Sequence, residues 1–290
     1  MVAPAMLQNP AVQKWLGGIL PAWTLLEEAS LNALRLPPAP ATGPIRLAAD
    51  LTLEELQQSA VVRNALILLR TAAVAPGLKL TATGNLSRAV VAEMYDLFEW
   101  PDFDKVDFLR FNKIVNEPDF MPLYFVRHVA ELAKLLRRQK GFMKTTPACR
   151  QVLEEPRIQA LQAVLFHIAF WYFDLGNLGR GWHRGWPQCD AGIVLWAMSI
   201  AAGDWQSRET LSRLCTIPII DVVDRQWDTA SYAMEAQILR PLLWFGLVEC
   251  REDDVSGSRF ARRHLYRKTA LFDRFLSFDV KLDGATALRH

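Results

Sequence analysis

Six basic side chains crowd into ten residues near the C-terminal end of this 290-residue chain. This C-terminal basic cluster consists of Arg259, Arg262, Arg263, His264, Arg267 and Lys268. It is a candidate DNA-binding site, since cations that neutralise phosphates also release their counterions. The competing interpretation, which carries more weight from sequence alone, is that neighbouring carboxylates pair with these cations across a β-hairpin. Those carboxylates are Glu249, Glu252, Asp253 and Asp254.

A second basic patch lies in the middle of the chain. It comprises Arg127, Lys134, Arg137, Arg138 and Lys140, and Lys144 follows it. Part of this patch falls at the predicted end of a helix, where the helix dipole stabilises cations without any ligand. That local role is the favoured interpretation of the patch, and nucleic-acid binding is the alternative.

A loop rich in glycine and tryptophan spans residues 179–187. Arg180, His183 and Arg184 would face an anion if this loop formed the wall of a pocket. Tryptophans bury large apolar surfaces, and two of them in such a loop more often pack against a core and hold the loop down. We favour that packing role over the pocket.

The sequence contains no GxGxxG, GxxxxGK[ST], HExxH or GxSxG motif. An enzymatic site at His183, Cys189 and Asp190 is the least favoured hypothesis, and zinc is not expected there because it usually takes four ligands. Carboxylates at residues 99–107 and 117–119 are predicted to cap helices and form turns rather than hold a metal. We therefore predict no catalytic residue, no metal and no cofactor.

The composition is that of a well-packed globular protein, with 51% apolar and 22% charged residues. The net charge of +2 makes no overall case for nucleic acid, so that hypothesis rests on local patches. Four scattered cysteines and no recognisable secretory signal predict a cytoplasmic protein with reduced thiols. The apolar runs at 161–175 and 191–202 are shorter than the ~20 residues that cross a bilayer, so we predict buried helices and no membrane partner.

Helices and hairpins must position these side chains. The local composition of the sequence divides the chain into regions in which such elements are predicted. Proline-rich residues 37–44 interrupt regular structure because proline fixes φ and removes a hydrogen-bond donor. The predicted regions are an N-terminal helical segment (1–36), this linker (37–44), two winged-helix-like repeats (45–155), a central aromatic helical pair (156–205), a C-terminal winged-helix-like unit (206–281) and a tail (282–290).

The two repeats share a sequence pattern. In residues 77–82 and 141–146, a glycine is followed by an apolar residue and, four positions after the glycine, by a threonine. An apolar helix is predicted before each. We interpret the pattern as a two-copy repeat.

Residues 239–271 resemble the second half of a winged-helix domain. In that family a helix ends in Leu-x-x-x-Gly-Leu-Val-Glu, a strand and a variable wing follow, and a return strand reads Tyr-Arg-Leu-Thr. The matching residues are Leu242, Gly246, Leu247, Val248, Glu249, Tyr266, Arg267 and Thr269. Lys268 stands where the family has an apolar residue, and Phe272 stands where it has glycine. The resemblance implies a helix able to enter the ~12 Å major groove and a basic wing that reaches phosphates.

We therefore predict a mainly α fold with short β-hairpins, in which repeated winged-helix-like units surround a central aromatic-rich helical pair. The chain is also similar in character to uncharacterised bacterial proteins built of such units. The preferred function is a non-enzymatic binding protein, with DNA bound by the C-terminal wing. One alternative is a protein-interaction scaffold with a specific partner or self-association. The other is an enzyme with a pocket in the loop at 182–190.

Overall fold

The computed structural model describes residues 6–39, 43–178, 185–225, 228–254 and 262–284. Within these ranges the chain is mainly helical, with short antiparallel strands, as the sequence predicted. It divides into two compact units. The middle unit comprises residues 49–173, and the two-part unit comprises residues 1–48 together with 174–290.

The two-part unit begins with helices α1 (Pro10–Leu16) and α2 (Glu28–Ala33) and strand β1 (Ile45–Leu47). The Asn9 side chain accepts hydrogen bonds from the first turn of α1, and this satisfies amide groups that have no partner within the helix. The proline-rich segment predicted at 37–44 lies between α2 and β1, and residues 40–42 of it fall outside the described ranges.

The middle unit is a helical domain with one small sheet. Its elements are α3 (Leu53–Gln57), α4 (Ala60–Ala73), β2 (Leu78–Lys79), α5 (Arg88–Leu97), α6 (Lys105–Phe111), α7 (Met121–Leu132), β3 (Leu136–Gln139), β4 (Phe142–Thr145), α8 (Pro147–Val152) and α9 (Leu161–Trp171). Thr52 and Glu55 form the capping box that their spacing predicts before α3. Ser59 caps α4, whose buried face includes Val61, Val62 and Leu66.

The middle unit's sheet joins the two segments that the sequence suggested as separate copies. The strand order is β2-β4-β3, and both neighbouring pairs are antiparallel. Leu78 of β2 stands opposite Met143 of β4, so residues 77–82 and 141–146 are partners in one sheet. A two-residue strand needs such a partner, because its backbone groups would otherwise lack hydrogen bonds. The predicted division of residues 45–155 into two repeated units therefore differs from the single unit in the structure.

The rest of the two-part unit follows a similar plan. Its elements are α10 (Ala191–Ala201), β5 (Gln206–Ser207), α11 (Arg208–Cys215), α12 (Ile220–Val223), α13 (Thr229–Met234), a π-helical segment (Glu235–Leu239), α14 (Arg240–Trp244), β6 (Val248–Asp254), β7 (Arg262–Lys268), α15 (Ala270–Phe275) and β8 (Leu276–Phe278). The strand order β5-β7-β6 again places the last strand in the middle. Strand β8 pairs with β1, so Ile45–Leu47 belongs here and not to the region 45–155.

The predicted central aromatic pair is divided between the units. Helix α9 belongs to the middle unit, whereas α10 belongs to the two-part unit. Both are buried as predicted, but apolar composition shows only that a helix is buried and not what covers it. At Gly192 of α10, the backbone of Leu34 and the side chain of Ile45 approach so closely that no Cβ atom fits.

No helix in the described part of the chain is long and apolar enough to cross a membrane.

Candidate functional site

The C-terminal basic cluster lies on and around strand β7, and much of its charge is paired. Nε and Nη2 of Arg267 lie 2.8 and 2.7 Å from Glu249 Oε1. The Lys268 ammonium donates to the Ser199 carbonyl and to Asp273, both at 2.8 Å. These contacts agree with the interpretation in which carboxylates offset the cluster.

The other arginines of the cluster stand opposite acidic residues of β6 or lie outside the described residues. Strand register places Arg263 opposite Asp253 and Arg262 opposite Asp254. Arg259 lies outside the described ranges.

His264 belongs to a compact polar group around Glu235, which the sequence did not single out as a site. Glu235 lies in the π-helical segment and is nearly buried. Its Oε2 accepts from Arg208 Nη1 at 2.5 Å, while its Oε1 accepts from the Tyr266 hydroxyl at 2.9 Å and lies 3.0 Å from His264 Nδ1. The group connects the π-helical segment, strand β7 and helix α11.

Charge and burial determine the protonation of this group. Burial alone would raise the pKa of Glu235, but hydrogen bonds from His264 and Arg208, the Arg208 charge and the Tyr266 hydroxyl together hold that pKa below its usual value. Burial, followed by the Glu235 charge, raises the pKa of Tyr266. The group around Glu235 therefore contains an ionised carboxylate and a neutral phenol near neutral pH. The hydrogen bonds between these side chains stabilise the fold.

The lowered pKa of Glu235 predicts an acid-sensitive stability. A carboxyl whose pKa is lower folded than unfolded stabilises the protein above its unfolded pKa of ~4.3, and this contribution disappears as the pH falls through the folded value. We expect the urea midpoint of the wild type to exceed that of Glu235→Gln at neutral pH, and the difference to shrink as the pH falls below ~4. A constant difference between the two proteins across the acid range would contradict this assignment.

The second basic patch separates into buried and exposed members. Arg127 is only 1% exposed, so it is not part of a surface patch as the sequence suggested. Its Nη1 lies 2.7 Å from Glu117, its Nε lies 3.2 Å from Glu131, and its Nη2 donates to the Gly84 carbonyl at 3.0 Å. Arg127 therefore fastens the turn at Gly84 to α7.

Arg137 and Arg138 lie in strand β3 and not at the end of a helix. Helix α7 ends at Leu132, and Lys134 adopts a left-handed conformation with φ of 57°. No glycine or proline marks this end, which is why the apolar pattern suggested a longer helix. The helix dipole accordingly does not explain the strand cations Arg137 and Arg138.

One surface of the middle sheet gathers cations from all three strands. Strand register and alternation place Lys79, Arg137, Gln139, Phe142 and Lys144 on the same side, which we call the basic sheet face. Arg137 stands directly opposite Lys144, and Lys79 stands opposite Phe142. Among the described residues, no ion pair involves any of these three cations. Exposed Lys134 and Lys140 lie at the ends of β3, whereas Arg138 contacts Glu131 at 3.1 Å.

The aromatic loop offers little support for an enzymatic site. Arg180, His183 and Arg184 lie outside the described residues. Trp186 is buried, and its indole donates to the Ile217 carbonyl at 2.8 Å, so this tryptophan packs into the core. Burial and the adjacent Asp190 raise the pKa of the Cys189 thiol to about 11, which disfavours a nucleophilic thiolate.

Asp190 in turn pairs with Arg35 at 3.0 Å. Among the described residues, no group of three or more histidine, cysteine or acidic side chains could hold a metal ion.

Sequence reasoning missed Lys79 and Phe142 as partners of the second patch. The matching segments at 77–82 and 141–146 carried a usable signal, because residues 78–81 alternate between apolar and polar types and each segment begins with glycine. Interpreted as neighbouring strands rather than copies, they would have placed Lys79 beside Phe142.

Comparison with known proteins finds a family match within the middle unit. Residues 57–158 match the family described as the Y4jL N-terminal domain. Over 113 residues the chain is 32% identical to a Sinorhizobium fredii protein named uncharacterized protein y4jL. This similarity covers 39% of the chain and 50% of the relative, so the chain spans about half the length of the curated relative it matches. No solved structure matches the chain.

Proposed function

We propose that this protein binds nucleic acid through the basic sheet face of the middle unit. The observation that carries the proposal is the direct pairing of Arg137 with Lys144, beside Lys79, without a carboxylate in ion-pair contact within the described residues. Like charges directly opposite each other on neighbouring strands are destabilising. A bound polyanion would relieve that repulsion.

The local sequence offers no acidic residue to offset these charges. Residues 71–92, which contain β2, and residues 132–153, which contain β3 and β4, include no aspartate or glutamate. They contain eight lysines and arginines. This contrasts with the C-terminal hairpin, where Arg267 and Lys268 each contact a carboxylate. The contrast favours the middle unit over the C-terminal wing as the binding surface.

We further propose that each unit contains a winged helix. Both have the order helix, strand, helix, further helices and a final hairpin, and in both sheets the last strand lies between the other two. This arrangement, together with the resemblance of residues 239–271, supports a wing made by β3 and β4 and another made by β6 and β7. Cations on such a wing can reach phosphates.

The proposal predicts salt-dependent binding that depends on the basic sheet face. We expect labelled single-stranded and duplex DNA to report binding of the full chain by fluorescence anisotropy, with an affinity that falls steeply between ~50 and ~200 mM salt. Arg137→Ala combined with Lys144→Ala should lower the magnitude of the slope of log K against log salt by about 1.4 for a single strand, because each lost phosphate contact accounts for about 0.7.

A matched control removes the same charges elsewhere in the middle unit. Arg110→Ala combined with Lys113→Ala also deletes one arginine and one lysine, here both exposed, and it should leave the slope nearly unchanged. Far-UV circular dichroism would verify that both variants are folded. No binding by the wild type at low salt, or equal effects of the two double substitutions, would refute the proposal.

The alternative function, a protein-interaction scaffold, would then gain weight. Exposed apolar side chains in this unit include Leu97 at the end of α5, Val106 and Leu109 on α6, and Ile114 after α6. Such side chains can form part of a protein interface.

A further inference from the structure

We infer that the basic sheet face recognises unpaired bases, so that its ligand is a single-stranded nucleic acid with a base stacked on Phe142. This inference rests on the proposed function and specifies the ligand of the same surface. It is carried by the position of one aromatic ring among three cations, and by the burial of the single arginine of helix α7, which precedes the hairpin.

Phe142 occupies the middle strand of the sheet and has a cation or a polar group on every side. It stands between Lys79 on β2 and Gln139 on β3, the residues directly opposite it. Lys144 follows two positions later on the same side of β4, and Arg137 lies diagonally across from Phe142. Directly opposite side chains are ~4.5–5.5 Å apart at Cβ and diagonal ones ~7–8 Å apart, so a ligand touching the ring also meets the charges.

The Phe142 ring is partly exposed. Among the residues that the structure describes, no aromatic ring stacks against it, whereas Tyr95, Phe103 and Phe120 in the same unit contact one another. A phenylalanine on a charged face costs solvation free energy unless something covers it. The flat face of a nucleobase is a suitable cover, because base–aromatic stacking does not depend on base identity.

Duplex DNA fits this surface less well. Its base faces are hidden in the stack, so Phe142 could not reach them without unpairing the strands. Helix α7 precedes the hairpin and is the helix that a winged helix would place in the major groove, but its Arg127 is buried in ion pairs. His128 Nδ1 lies 2.7 Å from the Tyr124 carbonyl on the same helix. Helix α7 therefore presents no free arginine or lysine to a phosphate backbone.

The test compares nucleic acids that differ in their bases, their sugar or their strandedness. The probes are a labelled oligothymidylate, an oligouridylate of equal length, an abasic deoxyribose-phosphate strand of equal length and a duplex. Phe142→Leu removes the ring but keeps an apolar side chain, whereas Phe142→Tyr keeps an aromatic ring. We expect Phe142→Leu to weaken binding of the strands with bases by about tenfold, consistent with stacking of one base, and Phe142→Tyr to retain wild-type affinity.

The abasic strand and the duplex separate stacking from charge. Phe142→Leu should change their affinity by less than about twofold, because they offer phosphates without an accessible base face. Preferential binding of oligouridylate or oligothymidylate would show which of these two strands the site prefers, and either result supports an unpaired strand.

Equal affinities of wild type and Phe142→Leu for the strands with bases would overturn the inference. The inference would also be overturned if Phe142→Leu weakened binding of the abasic strand as much as it weakened binding of the strands with bases. In both cases the proposed function stands if binding still depends on Arg137 and Lys144. If the wild type binds none of the four probes, the proposed function fails and this inference fails with it.

Discussion

Arg127→Met is expected to destabilise the middle unit by about 3–5 kcal/mol, the usual effect of removing one partner of a buried ion pair. Glu117 is as buried as Arg127, at 1% exposure, and would keep a charge without its main partner. The Gly84 carbonyl would lose its hydrogen bond from Arg127 as well. Methionine fills a similar volume, so the loss reflects charge and hydrogen bonding more than a cavity.

The measurement is urea unfolding followed by circular dichroism, with Arg110→Met as the matched control. Arg110 forms an ion pair with Asp107 at 2.6 Å in the same unit, but the two side chains are 69% and 57% exposed. Exposed pairs contribute ~0–1 kcal/mol because water solvates both charges, so the control should unfold close to the wild type.

A companion variant tests whether the unpaired charge causes the loss. Arg127→Met combined with Glu117→Leu should be more stable than Arg127→Met alone. Replacing both members of a buried ion pair costs much less stability than leaving one buried charge without its partner. Part of the loss should remain, since the Leu86 amide also donates to Glu117. Two results would show that the ion pair does not stabilise this region. One is a decrease in the free energy of unfolding below ~1 kcal/mol for Arg127→Met, and the other is a double variant whose decrease equals the sum of those of the two single variants.

Gly192→Ala is expected to destabilise the two-part unit by at least ~2 kcal/mol. A Cβ atom at Gly192 would overlap the Leu34 carbonyl oxygen and lie 2.6 Å from Ile45 Cδ1. The carbonyl belongs to the backbone after α2 and cannot move aside as a flexible side chain can. Alanine is favoured over glycine within helices by ~1 kcal/mol, but this gain is smaller than the cost of displacing α10 from its neighbours.

Gly203→Ala is the matched control for this substitution. Gly203 follows α10, and a Cβ atom there would meet nothing within 4 Å. Thermal unfolding should therefore show a clear decrease in Tm for Gly192→Ala and little change for Gly203→Ala. If the two variants melted together, the segment at 28–47 would not pack against α10 as tightly as the structure indicates.

Local sequence patterns were sufficient for most individual helices. The Thr52 and Glu55 capping box, the apolar positions of α4 and the burial of α10 were all predictable, because each depends on residues within a few positions of one another. The end of α7 was not predictable from local sequence, because Lys134 terminates the helix in a left-handed conformation that glycine usually provides.

The candidate sites depended on long-range pairing. Sequence identified Arg137 and Lys140 as basic, but Arg127 in the same patch is buried against Glu117, and Lys79 joins the face from a strand about sixty residues earlier. The Glu235 group likewise joins three elements that are distant in sequence: Glu235 in the π-helical segment, Arg208 in α11, and His264 and Tyr266 in β7.

The sequence by itself determined that this protein is mainly helical, which segments are buried, and where cations are concentrated. Those properties follow from side-chain type and from the periodicities of two residues in strands and 3.6 residues in helices. Both periodicities can be detected within a short segment of the sequence. Only the tertiary structure decided which cations are neutralised, because an ion pair such as Arg267 with Glu249 requires two strands in register. It also decided that β2 and β4 form one sheet, since a strand's partner is selected by the packing of the whole unit rather than by the strand itself.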